Sequence, residues 1–328
     1  MLALSQAGYG ESLRRYRVGA LLRQSNTLKW LGGGRRQPAS KIRTQVIASE
    51  SSLDGSQEVD DEHTKFSDED RFYLFHGRQH TYKLLIAYEG AKYAGWQTQV
   101  GLTSHDTIQG KIEEVLTRVT GDDRKILGVM GAGRTDSGVH ALGQVAHFYT
   151  TKAQSTRKLH SALNGMLPFD IRVREVSEVP PDFHARFSAL NKTYHYYIHT
   201  DPVLDPFTRQ YRLHCWYPLD TDKIRQAASS LVGTHDFSGF ANRTRNGKKR
   251  NPMRTISRFD VIEIERGLRL EVQSSGFLYK QVRNMVGALV HVGRGMMSLD
   301  EFEAVLVHKD RSRAPTGASA IGLYLATV

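Results

Sequence analysis

Between Arg71 and the C-terminus, short strand-like and helix-like runs alternate, and that order is what most narrows the folds open to the chain. Thr81–Tyr88 is rich in β-forming and aliphatic residues and reads as a strand. Thr107 is placed to cap a helix over Ile108–Val119, because Ile108, Ile112, Val115, Leu116 and Val119 fall on one stripe. Ile126–Met130, Gln144–Thr150 and Ile171–Val176 read as further strands, with a helix over Ser155–Met166 before the last of them. Lys192–His199 alternates aromatic and polar side chains, as a half-buried strand does. A helix over Asp220–Leu231 follows, then a hairpin of Ser257–Ile264 and Leu268–Ser274 about Arg266-Gly267. Leu278–Val292 is helical in period, Ser298 with Glu301 predicts a capping box for a helix over Leu299–Val307, and Leu323–Val328 reads as a last strand. The simplest packing of this order is α+β: two consecutive units, residues 71–190 and 191–328, each a sheet with helices on one side.

Charge marks off what precedes this body. Residues 1–49 carry nine Lys/Arg, among them Arg14, Arg15, Arg17, Arg23, Arg35, Arg36 and Arg43, against the single acid Glu11. Scattered Arg among Ser and small apolar residues is the composition of an organelle transit peptide, mitochondrial or chloroplast, and also of a disordered basic tail. Residues 50–70 carry nine acids against Lys65 and read as a solvated linker. The two stretches cancel, so residues 71–328 hold the whole net charge of +11. Such an excess on a compact body points to a polyanionic partner, most commonly nucleic acid, or to a charge that keeps the protein soluble. One cysteine, Cys215, excludes an intrachain disulfide framework and a Cys-rich zinc site. No apolar run approaches the roughly 18 residues of a membrane-spanning helix.

The segment with most chemical content is Gly131-Ala132-Gly133-Arg134-Thr135-Asp136-Ser137-Gly138-Val139-His140. Three glycines within eight residues mark backbone that needs positive φ or close approach. They bracket Arg134 and Asp136, which face the same way if the backbone between them is extended. The plainer reading of Asp136 is a turn or helix-cap aspartate. Familiar motifs do not fit: the spacing is not that of a dinucleotide or phosphate loop, His140 and His147 lack a zinc-protease context, and Ser137 has no nucleophile elbow.

At this segment, G-R-T-D-S-G-V-H-A followed by L-G-Q-V-A-H-F resembles the catalytic motif of the tRNA pseudouridine synthase A (TruA) family. Other blocks follow in family order. Tyr88-Glu89-Gly90 with Gly95-Trp96-Gln97 resembles the family's Y-D-G…G-W-Q. Thr107-Ile108-Gln109-Gly110 resembles T-V-Q-G, and Ala162-Leu163-Asn164 with Leu167-Pro168 and Asp170-Ile171 resembles A-L-N-x-x-L-P-x-D-I. Phe183–Ala189 and Lys192–Tyr196 resemble F-x-A-R-x-S-A and K-x-Y-x-Y. Phe277–Gly287 resembles a family helix, and Gly322-Leu323-Tyr324-Leu325 its end. Two departures stand out: Glu89 replaces the usual Asp, and Ala318-Ser319-Ala320 stands where the family has A-P-A.

The resemblance implies two tandem ferredoxin-like units with mainly antiparallel sheets forming one pseudouridine synthase fold. It implies an isomerase acting on tRNA uridines at positions 38 to 40 of the anticodon stem-loop, and a homodimer. Asp136 would be the reactive carboxylate, attacking sugar or base or promoting glycal formation. Arg283 would be its cationic partner, Tyr194 would pack on the uracil, and Arg134 would help extract the target nucleotide. Taken alone, Arg283 reads as a surface helix residue and Tyr194 as a core tyrosine. The run Arg243, Arg245, Lys248, Lys249, Arg250 and Arg254 reads as an RNA-facing loop or as solvated surface, with Lys152, Arg157 and Lys158 as weaker candidates for RNA contact. The reaction adds no atoms, so no cofactor or metal is expected. Other readings are a non-catalytic tRNA-binding or tRNA-folding protein on the same scaffold, and an isomerase of other RNA.

Overall fold

The computed structural model describes residues 78–99, 101, 103, 106–243 and 251–328. The targeting-like segment 1–49, the linker 50–70 and the basic residues Arg245, Lys248, Lys249 and Arg250 lie outside the described residues.

The first half runs β1 (His80–Tyr88), α1 (Ile108–Thr120), α2 (Arg124–Leu127), β2 (Met130–Gly131), β3 (His140–Thr150), α3 (Thr156–Met166) and β4 (Ile171–Val179). A connection without strand or helix, residues 180–191, leads to the second half. That half runs β5 (Lys192–His199), β6 (Leu213–His214), α4 (Thr221–Ser229), β7 (Gly233–Asp236), β8 (Met253–Ile264), β9 (Gly267–Ser274), α5 (Gln281–Gly293), α6 (Leu299–His308) and β10 (Leu323–Thr327). The result is α+β with one sheet in the order β4-β1-β3-β10-β5-β9-β8-β7, with β2 on β3 and β6 on β5. Pairing is antiparallel except for β10 with β3 and β5 with β6.

β10 is the strand that makes two sheets into one. It comes last in the chain yet pairs with β3 on one side and β5 on the other. Leu325 and its neighbour Ala326 are both buried there, with Leu323, as expected of a strand covered on both faces. The first half buries Ile108, Ile112 and Leu116 of α1 and Leu159 and Leu163 of α3 with Tyr82, Leu84 and Ile86 of β1. The second buries Val282, Met285, Val286 and Leu289 of α5. Each fully buried aliphatic side chain of this kind contributes roughly 1.5–3 kcal/mol.

Local rules set most element ends. Thr107, Ser155, Asp220 and Ser298 each accept a backbone N–H at a helix start, and Ser298 with Glu301 forms the full capping box. The structure corrects two expectations. Ile126–Met130 is not a strand: Asp123 caps a one-turn helix and Gly128 ends it in the left-handed region, leaving only Met130–Gly131 to pair. The helix expected from Leu278 begins at Gln281, because the Gln281 side chain accepts from Leu278 N at 2.8 Å and Lys280 adopts φ 59°. No helix among the described residues is long and apolar enough to cross a membrane.

Candidate active site

The site is built on the loop from β2 to β3. Its course is set by contacts that leave no room for side chains. A Cβ on Gly131 would stand 2.6 Å from the Trp96 ring. Gly95, at φ +117°, bridges to Asp136, and Trp96 N donates to Thr135 O at 3.1 Å. Asp136 opens a turn closed by Val139 N on Asp136 O at 3.1 Å. Gly138 takes φ +80° in that turn, which a type II geometry requires at its third position. Gln144 clamps the loop from β3: its Nε2 donates to Gly133 O at 2.7 Å and its Oε1 accepts from Gly133 N at 3.4 Å. The buried Tyr88 hydroxyl shares a 2.8 Å hydrogen bond with Thr135 Oγ1.

Asp136 is therefore both things the sequence allowed, a turn residue by its backbone and an open acid by its side chain. The carboxylate is 27% exposed, and Arg283 Nη1 lies 3.9 Å from its Oδ2. Among the described residues no donor makes a hydrogen bond to it. Burial pushes the Asp136 carboxyl above the usual range, and the charges of Arg283 and then Lys280 pull it back part of the way.

Both cations come from the start of α5. Arg283 is aimed by backbone: its Nε donates to Ala318 O at 2.7 Å, and its own carbonyl accepts from Ala318 N at 2.8 Å. The next carbonyl, of Ser319, accepts from the Tyr196 hydroxyl at 2.8 Å. Carbonyls do this work, so Ser in place of the family's Pro at position 319 leaves it intact. Lys280 was not singled out by sequence reasoning. Its signal was its place at the head of the helix motif that carries Arg283.

Tyr194 is buried on β5 and packs edge-on against Phe277, with ring centroids 5.2 Å apart. Its hydroxyl lies 3.9 Å from where a Gly133 Cβ would stand, so it faces the same loop. Burial, then Tyr88 and Asp136, push its pKa upward, so the phenol stays protonated. Arg134 is exposed, while the neighbouring Thr135 is buried. Arg243 is exposed at the edge of the described residues. The preceding Asn242 donates its N–H to Tyr279 O at 3.0 Å and accepts from Asn284 Nδ2 at 2.8 Å. Arg243, where the basic run begins, thus follows directly on a residue bonded to the start of α5. Gln144, Tyr88 and Thr135, which hold the loop, were also missed as site residues. Only the L-G-Q-V block hinted at Gln144.

The family model described as tRNA pseudouridine synthase matches residues 84–188 and 227–328. Asp136 lies in the first stretch and Arg283 in the second, while Tyr194 falls between them. The tRNA pseudouridine synthase A 1 of Protochlamydia amoebophila is 44% identical over 250 residues, covering 76% of this chain and 96% of that protein. The tRNA pseudouridine synthase A of Bacillus pumilus is 40% identical over 243 residues, 74% of this chain and 96% of the relative. That of Lactococcus lactis subsp. lactis is 40% identical over 250 residues, with shares of 75% and 96%. The chain belongs to the tRNA pseudouridine synthase family.

Proposed function

We propose that this chain isomerises uridine to pseudouridine in tRNA, with Asp136 as the reactive carboxylate. The observation that carries this is the pairing of Asp136 with Arg283 at 3.9 Å, on a carboxylate to which no donor among the described residues makes a hydrogen bond. In the reaction C1′–N1 breaks, C1′–C5 forms, the C5 proton leaves and N1 takes up a proton. An ionised carboxylate is needed beside the sugar and base. Burial opposes its ionisation, and Arg283 and Lys280 favour it without occupying its lone pairs. Tyr194 packs against the detached base and, being protonated, can donate a proton but cannot abstract one until it has given its own up. Arg134 assists extraction of the target, which costs a few kcal/mol of lost stacking.

The test is tritium release from tRNA carrying 5-tritiated uridine. Asp136→Asn is expected to lose turnover while keeping tRNA affinity. Wild-type turnover by that variant removes Asp136 from the mechanism.

The same reading extends outward. The targets are uridines 38 to 40 of the anticodon stem-loop, read out by mapping pseudouridine in tRNA with and without the protein. Pseudouridine only elsewhere would end that assignment. The run Arg243, Arg245, Lys248, Lys249 and Arg250 faces the RNA. Alanine at Arg243, Lys248 and Lys249 should flatten the salt dependence of tRNA binding by roughly 0.9 per lost phosphate contact, and an unchanged slope returns the run to ordinary surface. A homodimer is expected, and sedimentation as a monomer at working concentration counts against it. Residues 1–49 act as an organelle-targeting segment, which fails if a tagged chain localises identically without them.

Residues 71–190 and 191–328 are two tandem ferredoxin-like units. In support, each half contains a β-α-β-β-α-β series once α2, β6, β7 and α6 are set aside. The first, β1-α1-β2-β3-α3-β4, has neighbours β4-β1-β3-β2, and the second, β5-α4-β8-β9-α5-β10, has neighbours β10-β5-β9-β8. Separate expression of residues 191–328 as a chain without cooperative unfolding would count against it.

A further inference from the structure

Lys192 opens β5, and Arg186 lies in the connection before it. The stem of Lys192 runs over the loop that leads to Asp136. Its Cδ and Cε are 3.7 Å from where a Gly133 Cβ would stand, on the same spot that the Tyr194 hydroxyl approaches at 3.9 Å. Among the described residues neither Lys192 nor Arg186 forms a salt bridge. Burial, and after it the like charge of Arg186, lower the Lys192 ammonium pKa.

Arg186 is held in place by other means. Its guanidinium carbon lies 5.6 Å from the centroid of the Phe187 ring, which stacks on His184 at 4.3 Å. His184 Nδ1 accepts from Arg186 N and Phe187 N, each at 3.2 Å, and His184 N donates to Ser188 Oγ at 3.1 Å. The turn is tied to the strand pair that leads into the loop, since Ala185 N donates to His147 Nδ1 at 3.1 Å and His147 pairs with Met130, so a second cation is presented from the same side as Lys192. Such a pair is unfavourable in the free protein, and an arriving anion removes the penalty.

We propose that Lys192 and Arg186 form a phosphate subsite that grips an RNA phosphodiester next to the uridine presented to Asp136. The ammonium acts as a point charge and the guanidinium as a planar fork. The grip sets the register of the strand and offsets part of the cost of unstacking the target. This rests on the isomerase reading, since it takes Asp136 as the reaction centre.

The experiment measures retention of a tRNA transcript by the full-length chain, and by its Lys192→Gln and Arg186→Gln variants, across a series of salt concentrations. Each variant is expected to bind about tenfold more weakly and to show a log–log salt slope shallower by about 0.7. Lys192→Arg should restore the slope, which repair of a merely structural defect would not do. A second arm uses anticodon stem-loop RNA with one neutral methylphosphonate at a time beside the target uridine. At one position this should weaken the wild type and add nothing to Lys192→Gln. Unchanged affinity and slope in both Gln variants, or fully additive losses at every position, overturns the subsite even if the wild type isomerises uridine. Lys192-dependent binding without any isomerisation keeps the phosphate contact and overturns the enzymatic reading instead.

Discussion

Two carboxylate–guanidinium pairs in this molecule are built to opposite ends. Glu113 on α1 is 7% exposed and fully engaged. Arg124 donates to its Oε2 through Nε at 2.7 Å and through a second, closer nitrogen, and Gln109 donates to its Oε1 at 2.7 Å. The Asp136 side chain is 27% exposed and has a guanidinium nitrogen at 3.9 Å but, among the described residues, no hydrogen bond. The first pair spends its acceptors on joining α1 to α2. The second supplies charge while leaving the oxygens open to a substrate. A cation held near, but not on, a carboxylate lowers the cost of ionising it and keeps it reactive, which is the difference between a structural pair and a working one.

The sharpest way to break this contrast is to neutralise each acid in turn. Asp136→Asn is expected to reduce turnover by roughly a thousandfold or more, and Glu113→Gln to leave it within about twofold. Thermal melting should rank them the other way. Glu113→Gln leaves Arg124 without its counter-charge and costs about 1–3 kcal/mol. Asp136 has a folded pKa above its unfolded one, so its ionised form costs stability at neutral pH, and that cost fades as pH falls through the raised value. Asp136→Asn should therefore melt no lower than the wild type at neutral pH, with any gain vanishing in acid. A clear loss of melting temperature in Asp136→Asn would mean that the acid is structural after all.

A smaller effect is expected in the pH profile. The carboxylate form is the active one, so the acid limb of kcat/KM reports the Asp136 pKa of the free enzyme. Removing a cation that favours ionisation raises that pKa further. Arg283→Met should move the limb to higher pH, and Lys280→Gln should move it the same way by less, following the order of their influence. A limb that stays in place in both variants would disconnect the cations from the acid. The smallest change is expected from Gln144→Leu, which loosens the loop without touching the charge. There kcat should fall about tenfold with the acid limb unmoved, and a shifted limb would mean that Gln144 acts on the carboxylate rather than on the loop backbone.

Much of this was legible in the sequence because the forces involved are local. Thr107 and Ser298 act within one helical turn of themselves, so their caps could be read directly, while Ser155 and Asp220, taken as the first residues of their helices, turned out to cap them. The short segment after α1 was misread because Ile126 and Val129 have strand-like side chains, while the deciding groups were the polar Asp123 and the left-handed Gly128. Lys280 was passed over because its importance depends on where α5 starts, and that is set by the Gln281 side chain folding back on Leu278 N.

By itself the sequence determined the alternation of elements, most of their ends, and the glycine-bracketed acid from which the chemistry was inferred. Tertiary structure alone decided that β10 inserts between β3 and β5, that the Ala318 carbonyl aims Arg283 at Asp136, and that Lys192 lies over the loop at Gly133. The physical reason is reach. A cap or turn is settled by atoms a few residues apart, whereas the field at a carboxylate sums over every charge that the assembled sheet brings near it, whatever the separation along the chain.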